Sequence, residues 1–179
     1  MTPKKYTKYA DIPQFKSATS GYAVDTPIDY LERWVEEMQK DGLDLNPPFQ
    51  RGHVWTEAQQ IAYVEFLLRG GVSGRDLYFN CPSWHHPVPD GAYNAFVCVD
   101  GLQRITAILR FLCDEIPAFG TFASQYEDRK PIMLSVRVHI QDFKDEREVL
   151  EWYLEMNSGG TPHSDEELAR VQGMLDEMA

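Results

Sequence analysis

The sequence predicts one α/β (α+β) domain, and three stretches carry that prediction. In the first, Phe96-Val97-Cys98-Val99 runs into an Asp100-Gly101 turn, after which Leu102, Ile105, Ile108, Leu109 and Leu112 recur at helical spacing: strand, tight turn, helix. In the second, Ile132, Leu134, Val136, Val138 and Ile140 alternate with Met133, Ser135, Arg137 and His139, as in a half-buried strand. In the third, Thr56 stands three residues before Gln59 and opens an apolar run through Ile61, Val64, Leu67 and Leu68, so a capping box starts a helix. These signals are interleaved along 179 residues, a length that suits one well-buried core rather than two.

Composition narrows the class. A hydrophobic fraction of 43% with 25% charged residues is that of a globular protein, and no apolar run approaches the length of a membrane span. The basic start, Met1-Thr2-Pro3-Lys4-Lys5, is not followed by an apolar signal core, so a cytoplasmic location is expected. Cys81, Cys98 and Cys113 are odd in number and lack CxxC spacing, which fits buried thiols in a reducing compartment. A formal net charge of −11 argues against a broad non-specific DNA-binding face, because such binding rests on many Lys and Arg contacts to phosphate. Lys4, Lys5, Lys8 and Lys16 make the N-terminal arm positive, while acidic residues gather from Asp142 to Glu151 and from Asp165 to Glu167.

The remaining elements follow in chain order. Residues 1–24 read as an N-terminal arm that packs through Tyr6, Tyr9 and Phe15 or stays mobile. Thr26 is placed to cap a helix with Pro27 at its first position, and Ile28, Leu31, Val35 and Met38 form its apolar face up to an Asp41-Gly42 stop. Pro47 and Pro48 hold Leu43 to Arg51 extended, along a sheet edge or a groove. Gly70-Gly71 ends the capped helix, Leu77 to Asn80 read as a strand, and Cys81 to Asn94 as a loop with an aromatic lid around Trp84 and Tyr93. Cys81, His85 and His86 lack the second cluster a closed metal site needs, so no metal is expected there. Phe119, Phe122 and Tyr126 are expected to plug the core edge. Asp145 to Met156 read as a helix with Val149, Trp152, Tyr153 and Met156 inward. Asn157 to Pro162 break the chain, and Ser164 with Glu167 caps a last helix through Leu168, Val171 and Leu175.

The strand-turn-helix around Asp100 is the functional candidate. Backbone N–H groups of a first helical turn lack intrahelical partners, and with the helix dipole they favour an anion. Gly101 permits close approach of a ligand, Arg104 can fork onto phosphate, Gln103 can orient a ligand or water, and Asp100 can hold a metal or position an arginine. A nucleotide phosphate fits that set. Asp-Gly is also an ordinary turn, and an arginine early in a helix is often a structural ion pair.

Three blocks taken together resemble a known family. Pro48-Phe49-Gln50-Arg51 with Val54-Trp55, then Val99-Asp100-Gly101-Leu102-Gln103-Arg104-Ile105-Thr106, then Met156-Asn157-Ser158-Gly159-Gly160 with Ser164 and Glu167-Leu168, occur in this order. The chain resembles the N-terminal domain of GmrSD-type modification-dependent restriction proteins, in the ParB/sulfiredoxin-like superfamily. The resemblance implies a single compact domain over residues 25–179, a small mixed sheet flanked by helices that binds an NTP (ATP, GTP or CTP) with Mg²⁺. It implies Asp100, Gln103 and Arg104 as catalytic residues of NTP hydrolysis, and Gln50, Arg51, Gly101, Arg104, Thr106, Asn157 and Gly159 as nucleotide-binding residues. The family motif reads Asp-Gly-Gln-Gln-Arg, and Leu102 stands at its first Gln, where a leucine side chain can neither donate nor accept a hydrogen bond.

The resemblance leaves two other classes open. One is a non-catalytic acidic interaction protein, bacterial or phage, that regulates a restriction or defence system through a protein partner. The other is a ParB-like nuclease acting on DNA. The separate nuclease domain of the full restriction proteins, with its His-Asn-His type site, is not expected here. Sulfiredoxin-like relatives carry a catalytic cysteine in the turn, and Leu102-Gln103-Arg104 has none, so peroxiredoxin repair is not expected either.

Overall fold

The computed structural model describes residues 5–12, 21–50, 52, 54–128, 134–158 and 165–178. In chain order these form β1 (Tyr22–Pro27), α1 (Ile28–Lys40), α2 (Glu57–Leu68), β2 (Asp76–Asn80), β3 (Val97–Asp100), α3 (Leu102–Leu112), β4 (Ser135–Gln141), α4 (Glu146–Ser158) and α5 (Asp165–Glu177). The strands make one mixed sheet in the order β1-β4-β2-β3, with β4 and β2 parallel and the two outer pairings antiparallel. This is the mixed α+β domain the sequence predicts.

Each face of the sheet is defined by alternation along its strands. On one face Leu77, Phe79, Cys98, Val136, Val138 and Ile140 pack against Ile28, Leu31 and Val35 of α1 and Ile105 and Ile108 of α3. On the other, Val97 and Val99 of β3 meet Phe49, Phe143, Val149, Leu150 and Tyr153, with Val171 and Leu175 of α5 behind them. A third cluster joins Val64 of α2 to Ala107 and Phe111 of α3, so α2 lies beside α3 and not on the sheet. Towards β1 the second face carries polar pairs, Asp25 with Arg137 and Asp76 with His139.

Several expectations change here. Thr26 does not cap α1: it belongs to β1, is buried, and stands opposite Val136. No side chain caps that helix; its first N–H, of Ile28, donates to the Leu134 carbonyl at 3.1 Å instead. β1 also runs through the expected boundary at residues 24 and 25, pairing from Tyr22 with Ile140 to Pro27 with Ser135. The expected β4 starts at Ser135; Ile132 and Met133 lie outside the described residues. Cys113 is exposed, unlike Cys81 and Cys98. Phe119 plugs nothing: its backbone is left-handed at φ 51°, its N–H donates to Glu65, and its side chain is exposed. Trp84 packs with the first cluster and Tyr93 with the second, so they form no shared lid.

Other elements form as expected. The Thr56 hydroxyl accepts from the Gln59 N–H while the Gln59 side chain accepts from the Thr56 N–H, and α2 follows. The segment from Leu43 meets the sheet edge at Asp44, whose N–H donates to Phe96 and whose carbonyl accepts from Cys98, both at 2.8 Å, but it is not extended beyond that point: Pro47 to Gln50 turn, with the Gln50 N–H donating to the Pro47 carbonyl at 2.8 Å.

Candidate ligand-binding cleft

A cleft of about 810 Å³ opens where β3 turns into α3. Its floor is Val99, Asp100, Gly101, Leu102, Gln103 and Arg104; α2 supplies one wall with Gln59, Ala62, Tyr63 and Phe66; Tyr153, Met156 and Asn157 of α4 supply the other. Gln50 and Trp55 line it as well, with Ser73 and Gly74 at its rim. Of the residues expected at the site, Gln50, Asp100, Gly101, Gln103, Arg104 and Asn157 therefore meet in one place, although up to 107 positions of chain separate them. Thr106 does not line the cleft; its hydroxyl donates to the Leu102 carbonyl one turn back in α3. Arg51 and Gly159 lie outside the described residues.

Local sequence explains the floor. Gly101 sits at φ 132°, and a Cβ there would come within 2.8 Å of the Leu77 side chain, so only glycine lets β3 turn into α3 against β2. The turn brings the positive end of the α3 dipole to the cleft. Leu102 is 9% exposed and completes the floor as an apolar surface.

Arg104 does not stand free. Its Nη1 donates to the Asp76 carbonyl at 2.6 Å and its Nη2 to the Asp100 carboxylate. Burial works against the guanidinium charge, but the charge and hydrogen bond of Asp100 outweigh it and hold the Arg104 pKa above the ordinary arginine value. Of the two roles open to Asp100, positioning an arginine is the one occupied here.

Gln103 is engaged too. Its Oε1 accepts from the Val54 and Trp55 N–H groups, both at 3.0 Å, and its Nε2 donates to the Gly52 carbonyl at 2.7 Å. Both ends of the amide thus hold the segment before α2: Oε1 has both acceptor positions taken and Nε2 has one of its two N–H groups in these bonds. Gln50 donates to the Cys98 carbonyl at 2.5 Å, and Asn157 donates to the Tyr153 carbonyl at 2.7 Å.

Three features have no single-residue signal in the sequence. Arg170 of α5 donates to the Phe49 and Gln50 carbonyls at 2.9 and 2.8 Å, pinning the same segment from the far side. The backbone carbonyl of Asp76 receives Arg104, a role no side-chain pattern announces. The aromatic wall is the third: Trp55 meets Tyr63 edge-on at 5.3 Å between centroids, and the Tyr63 hydroxyl donates to Gly74. Burial pushes that hydroxyl up to about 12, so it stays protonated at neutral pH. Burial likewise pushes the Cys98 thiol under the floor up to about 12, which leaves no thiolate for chemistry there.

The family model for the GmrSD restriction endonuclease, N-terminal domain, matches residues 31–134, more than half of the chain. The chain belongs to this family. No curated protein and no solved structure matches it. The GmrSD match runs from within α1 to past α3 and takes in the cleft floor, while the α4 wall and Arg170 lie beyond it. Among the described residues of this GmrSD domain, no helix is long and apolar enough to cross a membrane.

Proposed function

We propose that this GmrSD N-terminal domain is a nucleotide-binding module of a restriction system. The observation that carries the reading is the meeting of Gln50, Asp100, Gly101, Gln103, Arg104 and Asn157 in one cleft at the start of α3. The helix dipole and Arg104 suit phosphate, and the Trp55, Tyr63 and Phe66 wall suits a base or ribose. The ParB/sulfiredoxin-like ancestry implied by the motif is part of the same proposal.

Binding is better supported than turnover. Phosphoryl transfer needs a positioned nucleophile and charge neutralisation at the transferring phosphate. Gln103, the residue expected to align water, has its amide in bonds to backbone, and Leu102 supplies no polar group. Any NTPase activity is therefore slow. The test is calorimetry with ATP, GTP and CTP on wild type and Arg104→Ala, followed by assay of phosphate release. Binding by the wild type that the variant loses supports the reading; equal affinity in the two proteins overturns it.

A second reading is favoured by an adjoining groove, which shares Ala62 and Phe66 with the cleft. Phe66, Val72 and Phe119, 41%, 79% and 55% exposed, line an open apolar surface of about 610 Å³ at the end of α2. Exposed apolar clusters mark interaction surfaces, so a non-catalytic domain that regulates a restriction system by docking a protein partner is the rival. A partner whose capture survives Arg104→Ala but not Phe119→Asp selects it.

A further inference from the structure

Resting on the reading of the α2 groove as a docking surface, we infer that its occupant is a second copy of this chain, placed about a two-fold axis so that Arg69 of each copy meets Glu65 of the other. The sequence of α2 asks for cover on both sides. Val64 and Leu67 turn inward and are buried, yet Ala62 and Phe66 stand exposed on the opposite side of the same helix. A helix that is apolar all round is ordinarily enclosed, and here the outer side is left to solvent.

The surface beside it is fixed in place. Phe119 and Gly120 form a tight turn in which both have positive φ, 51° and 75°, a geometry that favours Asn, Asp or Gly where Phe119 stands. A bulky residue there is strained, and three backbone bonds hold it: Ala118 N–H to Thr121 at 2.9 Å, Thr121 N–H to Ala118 at 3.0 Å, and Phe119 N–H to Glu65 at 2.8 Å. The strain displays a ring that is 55% exposed. Phe66 is fixed as well, lying so close to the Gly71 backbone that a Cβ on Gly71 would come within 2.3 Å of its ring. A projecting ring and an apolar groove thus adjoin on one surface, which a self-complementary two-fold contact needs.

Charge selects the occupant. The chain carries a formal net charge of −11, so two copies repel one another over most of their surface. The groove is balanced: among the described residues that line it, Glu65 and Arg69 are the charged ones, one of each sign. They stand four residues apart on α2, and a two-fold axis between antiparallel α2 helices turns them into two opposite-charge contacts. Arg69 has no ion pair among the described residues, and Glu65 gives one oxygen to the Phe119 N–H, so both are open to that exchange. A partner of one sign would leave one of the two charges opposed. Phe66 also lines the cleft, so the second copy backs one cleft wall.

The experiment is sedimentation of the wild type from about 1 to about 300 µM, where a modest interface gives a monomer–dimer equilibrium in the micromolar range. Phe119→Asp and Arg69→Glu are each expected to weaken the dimer about tenfold or more. Arg69 is exposed at the end of α2, so its variant reads the interface even if the Phe119 turn does not tolerate Asp. Glu65→Arg alone weakens it likewise, but an equal mixture of Arg69→Glu and Glu65→Arg recovers the dimer, because opposite charges then face each other at both contacts. A wild type that stays monomeric throughout overturns the inference and leaves the groove to a different protein; that reading falls only if Phe119→Asp also loses no captured partner. A dimer that Phe119→Asp and Arg69→Glu leave intact lies on another surface and overturns the inference, as does a mixture that stays monomeric.

Discussion

Gln103 shows how one side chain can belong to a functional motif and still do structural work. Its amide replaces the hydrogen bonds that Gly52, Val54 and Trp55 would find in a sheet or helix, in a segment that forms neither. Gln103→Ala leaves those backbone groups without the side chain that holds them, at a cost of about 1–3 kcal/mol. Denaturant unfolding should register that loss, and hydrogen exchange at the Val54 and Trp55 amides should quicken ahead of exchange in β2 and β4. An unchanged exchange rate at those two amides would mean that the segment holds itself. The residues of this motif were legible in the sequence, as was an arginine for Asp100 to position, but their backbone partners were not. Gln103 acts on backbone about fifty positions earlier, and Arg104 on a carbonyl 28 positions earlier, and neither partner carries a side-chain signature.

At the scale of elements, signals written locally came through and those completed by a distant partner did not. The Thr56 and Gln59 capping box lies within four residues, and α2 starts there. β1 was hidden because five of its six residues are exposed, so it lacks an apolar alternation, and because Thr26-Pro27 imitates a helix start. Its hydrogen bonds come from β4, more than a hundred positions on. One side-chain pair reinforces that edge: Arg137 donates to both oxygens of Asp25, at 2.9 and 3.2 Å. That hydrogen bonding holds the Asp25 carboxyl below its ordinary value of 3.8, so the pair stabilises the fold above that pH and is lost as pH falls through the lower folded value. Comparing wild type with Arg137→Gln by thermal melts should therefore show a gap at neutral pH that closes in acid. Both side chains are more than half exposed, so salt should narrow the gap as well. A gap that persists below that window would assign the effect to lost packing of the arginine stem instead.

For the molecule as a whole, the question is whether α4 and α5, outside the GmrSD match, are appended to the domain or complete it. Two observations argue for completion. Tyr153 and Leu150 of α4 and Val171 and Leu175 of α5 share one apolar cluster with Phe49 and with Val97 and Val99 of β3. Arg170 then ties α5 to the carbonyls of Phe49 and Gln50, whose side chains in turn meet Tyr153 and the Cys98 carbonyl. Opening α5 alone would expose that cluster and strip the Gln50 segment of a charged donor, so α5 and β3 should open as one cooperative unit. Native-state hydrogen exchange checks this directly. In the wild type, the Val171 to Leu175 amides should share the protection of Val97 and Val99. Arg170→Ala should speed exchange across Val171 to Leu175 by about tenfold, the effect of losing roughly 1.4 kcal/mol of charged hydrogen bonding, while β2 and β4 keep their rates. Fast exchange of α5 in the wild type would instead make it a separable appendage, and the α4 wall of the cleft, which α5 backs, would then be adjustable rather than fixed.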